Sequence, residues 1–412
     1  MTSGALAPRN LDFGALLIVR PGCPAFISGR KVREWGRESA PLELLGRSKE
    51  ELRVYCQELG EPAYRGGQIY HALYAERKLE IASMTNLPAS LRQKLTAQTK
   101  LTLPVVKQSY RSADGSVRYL YGLRAPDDRP GWKAAAVEGV FMPSEGRQTI
   151  CISTQAGCAV DCQFCLTAQL GLIRNLTAGE IVAQVLLPLI EMSRAGEGRT
   201  EADQGQNGLA AQTNVVLMGQ GEPLLNFENV FRAMRILLDK EGVGLSPKHV
   251  TLSTSGVVPG IERMAEEEVR PKLAISLNAS NDEERDALMP INRKYPLSEL
   301  MEACRKYPLR NWEHLTFEYV MLGGVNDAPE DAGRVVKLLA PLQRVKVNLI
   351  PWNPGELPYQ ESNPQSLEEF RGILTARGVP AFVRYSRGRD VMAACGQLAL
   401  KEASGSPLKV MA

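Results

Sequence analysis

Hydrophobic positions along this chain change period twice. Residues 1–40 show no clear period and read as an extension. From residue 41 the spacing is helical. Leu44, Leu45 and Leu52 lead into Val54, Cys56 and Leu59; Tyr64 to Leu73 and Ser90 to Leu95 follow, split by the turn Asn86-Leu87-Pro88. This predicts a small helical domain over 41–103. Residues 104–123 then alternate (Val105, Tyr110, Val117, Tyr119, Tyr121) around Asp114-Gly115, a hairpin signal. Ala136 to Met142 adds another strand-like run, so 104–148 reads as a β-hairpin and linker.

From about 149 strands and helices take turns. Strands are expected at Thr149 to Thr154, Asn214 to Met218, His249 to Ser253, Lys272 to Leu277, Leu315 to Met321 and Val345 to Pro351. Helices are expected at Ala178 to Ser193, Phe227 to Leu238, Ile261 to Glu268, Ser298 to Lys306 and Asp331 to Leu339, then Leu367 to Arg377 before a short strand at Phe382 to Tyr385. Thr177-Ala178-Gly179-Glu180 is a capping box at the first of them. Six strands alternating with helices predict an α/β fold with a parallel sheet. Six units in roughly 200 residues fit a partial (β/α)6 barrel over 149–400 better than a closed eightfold one. Residues 195–213, rich in Gly, Gln, Glu and Ala, read as a disordered inserted loop, and 401–412 as a tail.

Composition narrows the class. The chain has 412 residues, 44% hydrophobic and 23% charged, which excludes a wholly disordered or collagen-like protein. No apolar run nears the ~18 residues of a membrane helix. Phe13 to Val19 lacks a charged leader, so a secretion signal is not expected and the cytoplasm, a reducing compartment, is. Charge is uneven: residues 1–150 hold 22 Lys and Arg against 15 Asp and Glu, the remainder 27 against 31. Within 62–124 the count is 10 basic to 3 acidic, with six of the twelve tyrosines. Basic residues interleaved with aromatics fit RNA, whose bases can be stacked on; the plain alternative is a solvated helix face over core tyrosines.

Four of the eight cysteines fall between Cys151 and Cys165. Cys158, Cys162 and Cys165 form a C-x3-C-x2-C run directly after the first barrel strand. Three thiolates on one tight loop can hold three irons of a 4Fe-4S cluster and leave the fourth open to a substrate. The alternative, a zinc site completed by Cys151, is disfavoured because zinc sites pair two hooks set further apart. The run resembles the signature of the radical S-adenosylmethionine (SAM) superfamily. Gly219-Gln220-Gly221-Glu222-Pro223, after the second strand, resembles that superfamily's Gly-Glu-Pro turn at the SAM amino group.

The resemblance goes further. Thr149 to Cys158, Leu166 to Gln169, Arg174 to Leu176, Leu252 to Gly256, Asn348 to Pro354 and Ala393 to Leu398 together resemble the RlmN family, the radical SAM adenine-C2 methyltransferases of 23S rRNA, over about residues 41–400. The resemblance implies a target in the peptidyl-transferase centre, and in some members the adenosine just 3′ of certain tRNA anticodons. It implies that Cys158, Cys162 and Cys165 bind the cluster and that Gly221, Glu222, Ser253, Ser276, Leu277, Asn278 and Asn353 lie at SAM. Two SAM are used per turnover. Cys395 is methylated by one, loses hydrogen to a radical made from the other, and adds its methylene to adenine C2. Cys151 then attacks the Cys395 sulfur, releasing RNA and leaving a disulfide. Glu138 matches the proposed base for the C2 proton. The 41–103 domain would bind RNA, a flavodoxin would supply the electron, and a monomer is expected.

Each residue also has a plain reading. Cys151 could be a buried strand cysteine, Cys395 a helix-start cysteine and Glu138 an edge glutamate; Ser253 and Ser276 could cap strands, and Asn353 could serve a turn. Cys23, Cys56, Cys304, His71, His249 and His314 read as structural. One departure is Ser276-Leu277-Asn278, where many relatives have Ser-Leu-His; asparagine keeps a hydrogen bond but cannot titrate. Rival functions are C8 methylation of the same adenine, a radical SAM enzyme on a non-RNA substrate, and a zinc-bound RNA-binding protein without catalysis.

Overall fold

The computed structural model describes residues 41–127, 129, 131–196 and 212–400. The extension 1–40 with Cys23, most of the 195–213 loop and the 401–412 tail lie outside the described residues. Two short strands, Leu42–Glu43 (β1) and Thr99–Lys100 (β2), pair in parallel and bracket helices Lys49–Glu58, Tyr64–Tyr74 and Ala89–Gln98. The first starts at a full capping box: Glu51 N donates to Ser48 Oγ and Ser48 N donates back to Glu51. Leu44, Leu52, Cys56, Ile69, Leu73, Tyr74, Leu91 and Leu95 are buried between these elements.

The tyrosine expectation is corrected here. Tyr70, Tyr74, Tyr110, Tyr119 and Tyr121 are buried, and only Tyr64, 55% exposed, is free to stack on a base. Period explains the difference. Tyr70 and Tyr74 stand one helical turn apart on the inner face, and Tyr119 and Tyr121 share one face of a strand. Their hydroxyls are spent inside the protein, Tyr74 on Gly46 N and Arg47 O, Tyr119 on Glu191.

The hairpin forms as the alternation requires. Val105–Arg111 (β3) and Val117–Leu123 (β4) pair antiparallel across the Asp114-Gly115 turn, and Ala135–Ser144 (β5) continues the meander. Arg147–Cys151 (β6) then pairs antiparallel with β5 on one side. Beyond it, Gln155–Gly157 (β7) and Leu172–Asn175 (β8) form a small separate ladder around the cysteine loop. On its other side β6 pairs in parallel with Gln212–Leu217 (β9). Val250–Thr254 (β10), Lys272–Ser276 (β11), Leu315–Met321 (β12), Val345–Pro351 (β13) and Ala381–Val383 (β14) add in turn, each parallel to the last. The result is one ten-stranded sheet in the order β14-β13-β12-β11-β10-β9-β6-β5-β4-β3. Helices Ala178–Gly196, Phe227–Leu237, Val258–Glu266, Leu297–Lys306, Pro329–Leu339 and Pro364–Ala376 connect the parallel strands, as expected.

Three local differences position the site. The first parallel strand ends at Cys151 rather than Thr154: Ile152 N still bonds Val216 O of β9, but Thr154 N bonds Gln220 O, beyond the end of that strand. The short helix Asp282–Leu288 was not expected, its sequence being almost wholly charged. After β14 the chain, from Tyr385 to Leu400, runs back across the C-terminal ends of the strands. No helix among the described residues is long and apolar enough to cross a membrane.

Candidate active site

In a parallel α/β sheet the C-terminal strand ends and the loops beyond them carry the chemistry. Cys151 is the last residue of β6. The cysteine loop follows it, held by the β7–β8 ladder. Gly157, at φ +74°, opens this loop; a Cβ there would fall 1.8 Å from Gly171 O, so only glycine fits. Gly221, at φ +94°, is likewise confined, its Cβ position 2.4 Å from Gln155 Cβ.

Burial pushes all three loop thiols up: Cys158 to about 12, with Glu222 adding to it; Cys162 well above the usual range, with Cys165 and Cys158 adding; and Cys165 in the same direction. Backbone N–H groups oppose this, from Val160 and Ala159 toward Cys158 and from Thr167 and Ala168 toward Cys165. Three thiols within electrostatic reach of one another, two of them met by backbone donors, suit an iron–sulfur centre, since such donors stabilise the thiolate and tune the cluster. Among the described residues no three His, Cys, Asp or Glu side chains gather tightly enough for a single ion. A cluster spreads its thiolates over separate irons and does not need them to.

Next to this loop Glu222 is 3% exposed. It accepts from Ser255 N and Ser255 Oγ, each at 2.7 Å, and from Leu224 N at 3.0 Å. Burial raises its pKa, and the Ser255 and Leu224 donors pull it back. On β10 and β11, Ser253 and Ser276 hydroxyls lie 3.3 Å apart, and Ser253 donates to Glu318 at 2.9 Å. Glu318, on β12, is a residue the sequence reading missed. It is 9% exposed, its pKa is raised by burial, and its charge raises both Cys151 and Cys395. Its only signal is a glutamate inside an otherwise uncharged strand.

Leu277 is fully buried. Asn278 has φ +58°, a region Asn tolerates better than most residues. Its side chain is spent on the protein: Oδ1 accepts from Val320 N at 2.8 Å, and Nδ2 donates to Met289 Sδ at 3.2 Å. The departure from the family pattern is thus absorbed as a brace between β11 and β12.

Cys395 arrives on the returning C-terminal segment, which is laced down at several points. Leu166 N donates to Gly396 O at 2.8 Å, Thr167 Oγ1 to Leu398 O at 2.5 Å, Gln220 Nε2 to Leu398 O at 3.3 Å and Gln397 Nε2 to Pro354 O at 2.9 Å. Asn353 Nδ2 reaches both Ser386 Oγ (2.9 Å) and Cys395 O (3.2 Å). Cys395 retains exposed surface beside a cleft of about 10 Å³ that Phe164, Trp352 and Asn353 help to line, while the protein around its sulfur pushes its pKa up to about 11. Burial raises Cys151 further, and the Cys395 charge is the next contribution, so the two thiols share one environment; both are free. A cavity of about 500 Å³, lined in part by Arg47, Lys100, Arg124 and Arg232, lies away from these thiols.

Glu138, in β5, is 1% exposed. Oε1 meets Arg118 Nη1 at 2.6 Å, and Oε2 accepts from Leu400 N at 3.0 Å. Burial raises its pKa, and Arg118 opposes the rise. Its backbone is tied to the site as well: Glu138 N donates to Gln220 Oε1 and Ser153 Oγ donates to Glu138 O. Cys56 and Cys304 are buried core residues.

A partial (β/α)6 barrel with a three-cysteine loop after its first strand and a Gly-Glu-Pro turn after its second defines a radical SAM enzyme. Comparison with known proteins agrees. Residues 200–336 match the model of the radical SAM superfamily, and residues 42–101 that of the ribosomal RNA large subunit methyltransferase N-terminal domain. A probable dual-specificity RNA methyltransferase RlmN of Koribacter versatilis is 47% identical over 359 residues, covering 83% of this chain and 97% of its own. The dual-specificity RNA methyltransferase RlmN of Anaeromyxobacter dehalogenans is 45% identical, covering 87% and 92%. The crystal structure of a radical SAM methyltransferase from Sphaerobacter thermophilus superposes with a TM-score of 0.77 at 41% identity, over 87% of this chain and 99% of that one. The chain belongs to the RlmN family of radical SAM RNA methyltransferases.

Proposed function

We propose that this chain methylates C2 of an adenine in 23S rRNA, and of an adenine in tRNA, through a methylated Cys395 resolved by Cys151. The observation that supports the reading is that the segment carrying Cys395 packs on the strand end at Cys151, where Val391, Ala393 and Leu398 share a buried cluster with Cys151. The two thiols come from distant parts of the sequence, share one electrostatic environment, and stand beside the cysteine loop and Glu318.

Cys158, Cys162 and Cys165 would hold the 4Fe-4S cluster, and Gly221, Glu222, Ser253, Ser276 and Asn353 would contact SAM. When bound, the cluster and SAM supply one-electron chemistry able to take hydrogen from an unactivated methyl group. The protein's part is to carry, place and release. Cys395 Sγ holds the methyl carbon. Asn353 and Ser386 fix the backbone and neighbourhood of Cys395. Cys151, kept protonated by burial, must lose its proton before it can attack the Cys395 sulfur. Glu138 would take the adenine C2 proton at Oε2 once Leu400 N releases it. The target base has to leave its stack to reach this interior. Electrons would come from a flavodoxin-type donor, and we place the enzyme in the cytoplasm as a monomer.

The test is peptide mass spectrometry of Cys395 in anaerobically purified protein, paired with a Cys151→Ala variant. A methyl group on Cys395 and RNA covalently trapped on the variant are expected. Nucleoside analysis of the product should give 2-methyladenosine; the C8 isomer would move the chain to the sister chemistry. An unmodified Cys395 with no adduct, in cluster-loaded protein, would refute the two-cysteine reading.

A further inference from the structure

Burying a cation without an anion is costly, so a fold that does so holds it for a reason. Arg285 has no accessible surface. Its guanidinium donates four hydrogen bonds, all to neutral groups: Nε to Leu277 O (3.1 Å), Nη1 to Asn292 Oδ1 (2.9 Å), and Nη2 to Ser255 O (2.6 Å) and Ser276 O (3.1 Å). Asp282 and Asp286 are kept one step away, each accepting from Asn292 Nδ2 at 2.8 and 2.7 Å.

The cysteine loop docks on the helix that carries Arg285, through Gln163 N to Leu288 O at 2.9 Å. Burial lowers the Arg285 pKa to about 10, still charged at neutral pH, and among nearby charges Cys162 supports it most. The three carbonyls that Arg285 grips end β10 and β11, where the SAM contacts are proposed.

We propose that Arg285 is the built-in countercharge of the cluster site, a positioning residue that raises the reduction potential of the bound cluster. This rests on the reading that Cys158, Cys162 and Cys165 hold the cluster. A fixed positive charge in a low-dielectric interior favours the more negative, reduced form of a neighbouring centre. Arginine suits the task because it stays protonated even there.

The experiment is an anaerobic redox titration of the cluster in the full-length, reconstituted protein, followed by electron paramagnetic resonance. Wild type is compared with Arg285→Met, Arg285→Lys and Asp286→Asn. Arg285→Met is expected to shift the midpoint to more negative potential and to lower severalfold the fraction reduced at a fixed ambient potential. Arg285→Lys should keep most of the wild-type value. Asp286→Asn, which removes a charge opposing Arg285, should shift the midpoint the other way. Packing alone does not produce opposite signs. An Arg285→Met protein with full iron and an unchanged midpoint overturns the proposal. If that variant does not fold, an unchanged midpoint in Asp286→Asn overturns it instead. A wild-type chain that takes up no iron refutes the underlying cluster reading, and the proposal with it.

Discussion

Arg118 and Glu138 meet at 2.6 Å with side chains 0% and 1% exposed, and Leu400 N seals the remaining carboxylate oxygen. Arg118 also lies over the Tyr110 ring, 4.3 Å from its centre. Breaking a buried pair by removing one partner leaves an uncompensated charge. We expect Arg118→Met to lose ~3–5 kcal/mol of stability at neutral pH. Burial already raises the Glu138 pKa, and losing Arg118 raises it more. A carboxyl raised in the fold favours the fold at pH below its unfolded value and loses that advantage as pH climbs through the folded value. The variant should therefore be less impaired at pH 5 than at pH 8 in urea unfolding. Equal losses at both would mean that the pair does not act through charge.

The hairpin turn and the Cys395 segment clasp each other. Ser112 Oγ and Ala113 N donate to Asp390 at 2.6 and 3.0 Å, and Gly388 N donates to Asp114 at 3.0 Å. The Ser112 and Ala113 bonds hold Asp390 below the usual carboxylate range. Asp390→Ala should speed amide hydrogen exchange over 386–400 by roughly tenfold, the loss of a charge-assisted bond, while the strands β9–β13 stay protected. Unchanged exchange in this segment would show that the lacing to Leu166 and Thr167 suffices without the clasp.

Gly157→Ala should reduce iron bound per chain after reconstitution. The added methyl has no room against Gly171 O, and a positive φ costs a non-glycine residue ~1–3 kcal/mol. Circular dichroism should stay close to wild type, because the β7–β8 ladder lies outside the main sheet. Full iron uptake would mean that the loop closes around the cluster without this ladder.

Burial raises the thiols of Cys56 and Cys304, to about 11 and about 12, and both lie in the hydrophobic core. Groups raised in the fold contribute stability that is full below their unfolded pKa and is lost as pH rises through the folded value. Thermal stability of the metal-free chain should therefore fall between roughly pH 9 and 11. Cys56→Val with Cys304→Val should flatten that fall. An identical slope in the double variant would assign the loss to the remaining thiols and tyrosines.

Much of this was readable from the chain. Leu315–Met321 and Val345–Pro351 were expected to the residue, because strands buried between helices are bounded by polar loops. The cysteine loop and the Gly-Glu-Pro turn were readable because ligand spacing is a local property. What escaped is non-local. Asp282–Leu288 reads as a solvated run of charge, and nothing nearby tells that Arg285 points inward. Glu318 becomes conspicuous only when β10 brings Ser253 to it. The tyrosines of 62–124 misled in the other direction: composition counts rings, and only helix and strand phase tells which side they face.

The lacing of Cys395 to the cysteine loop also has a genetic consequence. A stop codon falling after β14 but before Cys395 would leave every strand of the barrel and all three loop cysteines encoded. Such an allele would also strip Leu166, Thr167 and Gln220, beside the cysteine loop and the Gly-Glu-Pro turn, of their partners at Gly396 and Leu398. A check of the gene that looked only for the barrel strands and the three loop cysteines would pass it as intact.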